Sequence, residues 1–489
     1  MSNYNKFIAA LNKQCFTVNI SVASNNYDLE ESEIITINEL PEAVVEEMIS
    51  NQPFRLEFIA TLFFDFKFPD LPIFLKKAHS VAFISRDYSS LDITYHQFIE
   101  VSELKIDLYF VDSIKFQEFK QLKQLYLRRF LLNENTLSLS NNSLEHLILS
   151  REEYNSELSS PLKILDITGT PNLRKLDMYS IFNETVDKEI KSDIVLAELT
   201  DIFINCCDIS NKELSFLNKC TSVKSFTLKD SGYFYPIECF ACPEILEELI
   251  ISPCIGFDYL YFSSFTNLKE LTLFNCNKEM IRLDSMVFNT VTKLVINNAV
   301  IEESDIFNLV NLSELIFRDS IVNLTHINSY NTTNLLSLEV LKIINTSGIE
   351  NESILFTKCK GLKKISLSMS ERLNSIMPFI ENKYLEEINI NNNSNFNLEQ
   401  LKNFKNLKKI SIYYGILLNG NATCNDCSLL EEILLNNVAI DCIEFLKNIK
   451  LKKLTLIACN LMPKHINELN TFFINNPDIL NIETDELPL

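Results

Sequence analysis

Tryptophan is absent from this 489-residue sequence, glycine occurs 7 times and histidine 5 times. Each scarcity excludes something. A loop that cradles phosphate needs glycines where the backbone approaches the anion. The stretch that imitates one, GILLNGNAT from Gly415, has Asn421 where the lysine belongs and Ala422 where the hydroxyl residue belongs. His79, His96, His146, His326 and His465 are scattered, with no two at metal-ligand spacing. Carboxylates are plentiful, but no close pair has neighbours that point to a shifted pKa. No catalytic residue, metal ligand or cofactor is therefore expected, and the chain reads as a non-enzyme.

Long apolar runs are missing too. LEFIATLFFDFKF from Leu56 is interrupted by Glu57, Asp65 and Lys67, so no membrane-spanning helix is expected. The opening MSNYNKFIAALNKQCF has no uninterrupted apolar core of the secretory kind. Positive charge is in short supply: 44 Lys and Arg face 65 Asp and Glu, a net charge of −21. Nucleic acids and anionic membranes are held mainly by cations, so neither is expected as a partner. A basic or mixed-charge protein fits that balance better, although surplus acid also simply keeps a large protein soluble. Cysteine is not scarce, at 13. Without a secretion signal these read as free thiols in a reducing compartment, cytoplasmic or nuclear. The sequons at Asn183, Asn311, Asn323, Asn345 and Asn421 are then coincidences of an Asn-rich chain.

What is present is a repeat. LKKISL from Leu362 is followed by LEEINI from Leu385, LKKISI from Leu407, LEEILL from Leu430 and LKKLTL from Leu451, at steps of 23, 22, 23 and 21 residues. In L-x-x-L-x-L the apolar residues point to one side of a short strand and the intervening residues to the other. Earlier copies are AHSVAF from Ala78, VSELKI from Val101, LKQLYL from Leu122 and LEHLIL from Leu144. LKILDI from Leu162 and LRKLDM from Leu173 stand only 11 residues apart, so 150–198 holds an insertion or a distorted repeat. From LTDIFI at Leu199 the register holds to the end, giving about 17 repeats. IEESDIFNLV, NLEQLKNF, CIEFLKNI and PKHINELNTFF have apolar residues at helical spacing and are expected as helical turns on the convex side.

Residues 1–76 do not carry the repeat clearly and are expected to cap it, with a strand at FTVNISVAS from Phe16 and a helix in ELPEAVVEEMISNQ from Glu39. The array then occupies 77–475, and 476–489, NPDILNIETDELPL, is a closing strand and C-terminal cap.

Over roughly 78–489 the chain resembles the leucine-rich-repeat superfamily, whose units place Asn or Cys three residues after the third apolar position. Cys207, Cys254, Cys276, Cys459 and Asn393 stand there, with Ser231, Ala299, Ser320, Thr346 and Ser370 in other units. CDISNKELSFLNKC from Cys207 resembles the cysteine-containing subtype common in intracellular adaptors. The resemblance implies an α/β solenoid, a horseshoe with a parallel concave sheet and short convex helices or turns. It also implies a non-enzymatic scaffold that binds a protein on the concave face.

Two Cys-x-x-Cys pairs, Cys239/Cys242 and Cys424/Cys427, suggest zinc, but the register argues for core. Cys427 lies three residues before Leu430 and Cys242 four before Leu246, and Cys220 and Cys359 share that slot without a Cys-x-x-Cys partner. The paired charges of the opening phrase alternate, Lys363/Lys364, Glu386/Glu387, Lys408/Lys409, Glu431/Glu432, Lys452/Lys453, and are expected to bridge neighbouring strands. That leaves Tyr126, Arg128, Tyr179, Phe203, Phe274, Arg318 and Tyr413 as outward residues of the types that dominate interfaces. Two other functions compete. LPEAVVEEMIS from Leu40 resembles the opening of an F-box, which implies a substrate adaptor of a ubiquitin ligase, although the closing Trp of that module is missing. Other relatives of the repeat regulate enzymes, but their unit lengths and Asn ladder differ from those seen here.

Overall fold

The computed structural model describes residues 4–6, 8, 16–22, 34–38, 40–49, 54–60, 66–67, 72–85, 91–92, 98, 100–107, 115–130, 135–151, 162–182, 188–207, 209, 212–230, 240–252, 264–275, 290–302, 309–323, 335–346, 359–368, 382–391, 396–397, 401, 404–418, 427–440, 443–461, 463–476 and 479. They fall into two compact units, Met1–Leu246 and Glu247–Leu489.

The first unit begins with an antiparallel edge. Phe16–Val22 pairs antiparallel with Ile34–Thr36 and with Phe54–Ala60. The helix Glu42–Ile49 buries Val45 and Ile49, one turn apart, and its first turn starts on the Pro41 carbonyl. The hydroxyl of buried Tyr4 donates to the carbonyls of Ile37 (3.0 Å) and Leu40 (3.1 Å). A parallel ladder follows: Phe54–Ala60, Ser80–Ser85, Glu103–Asp107, Gln124–Arg128, His146–Ser150, Lys175–Tyr179, Asp201–Asn205 and Ser225–Lys229, each paired with the next. The ladder thus includes 54–60, inside the stretch expected to be all cap.

The second unit has a parallel ladder of its own, through Glu248–Ile251, Glu270–Phe274, Lys293–Asn297, Glu314–Arg318, Val340–Ile344, Lys364–Ser368, Glu387–Asn391, Lys409–Leu418, Glu432–Ile440 and Lys453–Ile457. Most ladder strands bury their second and fourth side chains and turn the first, third and fifth outward, the period of two that a half-buried sheet imposes.

Three devices recur among the described turns of the chain. The first is an i to i+3 turn before the strand. The N–H of the leading leucine donates to the carbonyl three residues back, as in Leu122 to Phe119, Leu173 to Thr170, Leu362 to Cys359, Leu385 to Asn382 and Leu430 to Cys427. That slot is buried whether it holds Phe119, Asn141, Thr170, Cys220, Cys359, Asn382 or Cys427. Asn382 Nδ2 donates back to the Cys359 carbonyl (2.6 Å), and the Cys427 thiol donates to the Leu401 carbonyl (3.1 Å). The slot is therefore core at Cys220, Cys359 and Cys427, as the register suggested, but Cys242, expected there too, is only half-buried; Cys239 and Cys424 lie outside the described residues.

The second device ends the strand. A residue with left-handed backbone follows it: Arg129, Ser180, Cys206 and Asp230 in the first unit; Asn275, Asn298, Asp319, Asn345 and Ala458 in the second; Tyr414 and Asn437 take the same conformation inside the long strands Lys409–Leu418 and Glu432–Ile440. Glycine would do this at least cost, but Asn and Asp tolerate the conformation and here link to one another. Asn298 Nδ2 donates to Asn275 Oδ1 (2.7 Å) and Asn345 Nδ2 to Asp319 Oδ1 (2.6 Å). This is how a repeat protein manages with so little glycine. The third device is a donor two residues after the strand, reaching the carbonyl of the preceding repeat: Cys207 to Met178, Ser320 to Ile296, Cys459 to Leu435.

The return segments are more varied than expected. Pro463–Asn475 is an α-helix, and Glu444–Asn448 and Glu213–Lys219 are 3-10 turns. Val300–Glu302, where IEESDIFNLV was expected to begin a helix, is instead a strand paired with Ile321–Asn323, and Asn397 closes a short strand, Phe396–Asn397. The puzzle of 150–198 resolves likewise. LRKLDM supplies the ladder strand Lys175–Tyr179, whereas LKILDI forms Ile164–Gly169 in a second parallel sheet with Thr136–Ser140 and Glu189–Lys191. A Cβ on Gly169 would stand 2.4 Å from the Ser140 Cα, which is why this close approach takes a glycine. The closing strand expected from Asn476 lies almost wholly outside the described residues.

Candidate functional site

The outward face of the first unit gathers four of the seven expected residues. Tyr126 stands at the third position of its strand, opposite Lys105 on one side and Ile148 on the other. Arg128 stands two positions on, opposite Asp107 and Ser150. Phe203 is opposite Asp177 and Thr227, and Tyr179 opposite Ser150 and Asn205. The diagonal brings the Tyr179 and Phe203 rings to 5.0 Å, tilted by 36°. Cations sit on this aromatic surface. Lys105 Nζ lies 5.3 Å from the Tyr126 ring centre and Lys229 Nζ 5.7 Å from that of Phe203, the geometry of cation–π attraction. At the strand ends, Arg151 lies 5.9 Å from the ring centre of buried Phe130.

Acids among them are matched from within the face. Arg55 bridges Glu57 at 2.9 Å, Arg129 bridges Asp107, and Asp177 accepts from His146 Nε2 (2.9 Å) and lies 3.3 Å from Lys175. His146 does face outward, as its place in the strand implied, but it serves Asp177. Burial, with help from Arg55 and Arg128, holds the Lys105 ammonium below the usual lysine range.

The other three expected residues lie in the second unit. Phe274 is opposite Asn297, and Arg318, exposed, is opposite Asn297 and Ile344. Tyr413 lies several strands further on, between Asn391 and Asn436. Sequence reading missed Ile148, which fills the gap between Tyr126 and Asp177. Its place in LEHLIL made it look like part of the apolar phrase, yet its odd-numbered strand position is an outward one.

Among the described residues no group of three or more His, Cys, Asp or Glu is placed to hold a metal. No described helix is long and apolar enough to cross a membrane. Ser102 Oγ lies against both ring nitrogens of His79, at 2.9 and 3.2 Å, rather than along one lone pair as a nucleophile and its base would. Burial pushes the Cys207 thiol up to about 11 and those of Cys220 and Cys359 up to about 12, the opposite of a reactive thiolate. Gly415 of the phosphate-loop mimic is inside the strand Lys409–Leu418.

The leucine register, the parallel ladder and the slot donors together define a leucine-rich-repeat solenoid fold. No family model matches the chain, and no curated protein matches it. Among solved structures it is similar in fold to a leucine-rich-repeat protein of Leptospira interrogans, at 15% identity over 85% of this chain and 93% of that one, with a TM-score of 0.45. It is similar also to internalin C2 of Listeria monocytogenes (15% identity, 41% and 83% covered, TM-score 0.32) and to the mouse RP105/MD-1 complex (14% identity, 82% and 87% covered, TM-score 0.41).

Proposed function

We propose that the chain is a non-enzymatic protein-interaction scaffold, and that the first unit's outward face is where its partner docks. The observation that carries this reading is the cluster of Tyr126, Ile148, Tyr179 and Phe203 on contiguous ladder strands, with Lys105 and Lys229 over two of the rings. Aromatic and arginine anchors contribute most of the energy of protein interfaces, and a patch of them on a rigid ladder loses little entropy when it is covered. The seven free cysteines among the described residues, four of them buried, fit a reducing compartment, and we place the protein inside the cell on that ground. The net charge favours basic or mixed-charge proteins at long range, whereas contact chemistry is set by the face itself. The F-box reading gains nothing from the fold: the buried face of Glu42–Ile49 is its Val45/Ile49 side, and the strands on either side of it pair with Phe16–Val22.

Affinity purification of the full chain beside a Tyr126→Ala/Phe203→Ala double variant tests the proposal. Partners that are retained by the parent and lost from the variant, with the melting temperature unchanged, are expected. Partners retained equally by both would end it.

A further inference from the structure

We propose that the cationic end of this face binds an acidic peptide segment of the partner, with a carboxylate seated between Lys105 and Arg128 and an apolar side chain against Tyr179 and Phe203. The inference rests on the docking reading above and adds the chemistry of what docks. It runs against the charge of the whole chain, so it has to be argued locally.

Glu57, Asp107 and Asp177 are each engaged by a cation of the same face. Lys105 and Arg128 come on adjacent strands, two positions apart in register, with Arg55 near enough to act on Lys105, while Asp107, directly opposite Arg128, and Glu57 offset part of the repulsion. Cations brought together and partly buried repel one another, and an anion between them relieves that repulsion. Arg128 supplies a second sign. Its Nε is buried without a hydrogen-bond partner among the described residues. A buried donor left unmade is costly, and the outer nitrogens of a guanidinium can hold a carboxylate in two parallel bonds.

Spacing then selects the rest of the ligand. The strand of Tyr179 is two along the ladder from that of Arg128, about 10 Å at the usual strand separation, or three residues of extended peptide. The region between holds Ile148 and Ser150, which suit an apolar or small side chain. A nucleic acid fits worse. Its backbone repeats charge every few ångström, and it would have to pass Asp177 and Asp201 while opposing a net charge of −21.

The test is selection of random dodecapeptides displayed on phage against the full chain, followed by fluorescence anisotropy of the labelled winners. Winners are expected to be net acidic with an aromatic or branched residue about three positions from an acid. Their binding should fall roughly tenfold or more in Arg128→Gln and in Lys105→Gln, and by less in Arg128→Lys, which keeps the charge and loses the fork. Thermal melts of the neutral variants check that the ladder is intact. Basic or uncharged winners that are lost in Tyr126→Ala/Phe203→Ala overturn the acidic ligand and leave the docking face standing. Winners indifferent to all of these substitutions overturn both. A labelled oligothymidylate held through Arg128 at physiological salt would replace the peptide by nucleic acid, and so would also overturn the proposal.

Discussion

The ladder strands from Val340 to Ile457 and those from Glu103 to Lys229 bury their inward side chains alike and spend their outward ones differently. In the later strands the first outward position and the residue just before it are taken by opposite charges. Glu339 pairs with Lys363 (2.7 Å), Lys364 with Glu387 (2.9 Å), Glu386 with Lys408 (2.8 Å), Lys409 with Glu432 (3.3 Å) and Glu431 with Lys452 (2.7 Å). Successive strand pairs are joined alternately through the two rows, like a running stitch. In the earlier strands Lys123 and Arg174 bridge to Glu145 ahead of the strands, and His146 and Lys175 to Asp177 within them, while aromatic rings with cations over them hold other outward positions. The most regular stretch of the sequence is thus self-satisfied. A surface whose charges already answer one another gains little from a partner, and one that carries rings and crowded cations gains more.

The comparison breaks first if the buried halves are not alike. Leu176 in the first unit and Ile388 in the second are fully buried at equivalent second positions. Truncating either, Leu176→Ala or Ile388→Ala, is expected to cost about 2–5 kcal/mol in urea unfolding. A cost under about 1 kcal/mol at one of them would mean that the two ladders do not share a core design. At the outward positions the expected asymmetry is in binding. Tyr126→Ala with Phe203→Ala should weaken the partner by roughly tenfold or more. Tyr413→Ala should leave it within about twofold, because an isolated surface aromatic contributes little. Equal losses would erase the functional difference between the regions.

The inward half of this structure was legible because core burial writes itself at fixed spacing: every leading leucine from 122 onward announces a strand. The charge stitch was legible for the same reason, since Lys-Lys and Glu-Glu alternate with the repeat. Legibility failed where one phrase serves two places. LKILDI and LRKLDM have the same pattern, and only the three-dimensional path sends the first to a second sheet and the second to the ladder. It failed also for 54–60, where strands at the ladder's start are rich in Phe and lack the leucine signature; Phe58 stacks on Phe83 at 5.1 Å. Four of the seven expected interface residues came together, because contiguity depends on which strands are neighbours and not on residue type. Ile148 was hidden by being apolar at an outward position.

A pH dependence should be the same in both units. Cys220 and Cys359 occupy the same slot, one in each unit, with thiols raised by burial from 9.0 to about 12. An acid whose folded pKa is raised holds its proton in the folded state while the unfolded chain releases it. Stability is therefore full below about pH 9 and falls as pH rises toward about 12. At about pH 10 each thiol should cost roughly 1.4 kcal/mol. Cys220→Val and Cys359→Val should each flatten the decline by that amount. A slope unchanged by both would show that these thiols do not titrate with folding.

The smallest expected effect sharpens the comparison most, because it tests the stitch itself. Lys408 lies in the row where Glu386 precedes it and Glu431 follows. The substitution Lys408→Glu sets three like charges in succession where the parent alternates. All three side chains are substantially exposed, so screening limits the loss to about 0.5–1 kcal/mol at low ionic strength. The loss should shrink as salt is raised from about 0.01 M to 1 M, since the screening length falls from about 30 Å to 3 Å. A loss that persists at high salt would have another origin, such as packing of the lysine stem, and the stitch would not be electrostatic. Lys105→Glu, in the other region, is expected to behave differently. Its ammonium is partly buried and already held below the usual lysine range by burial and by Arg55 and Arg128. Reversing it relieves the repulsion from Arg55 and Arg128 but sets a carboxylate near Glu57 and Asp107, so the two effects oppose one another and stability should change little while partner binding falls. Loss of stability in both variants would mean that the two faces spend their charge in the same way.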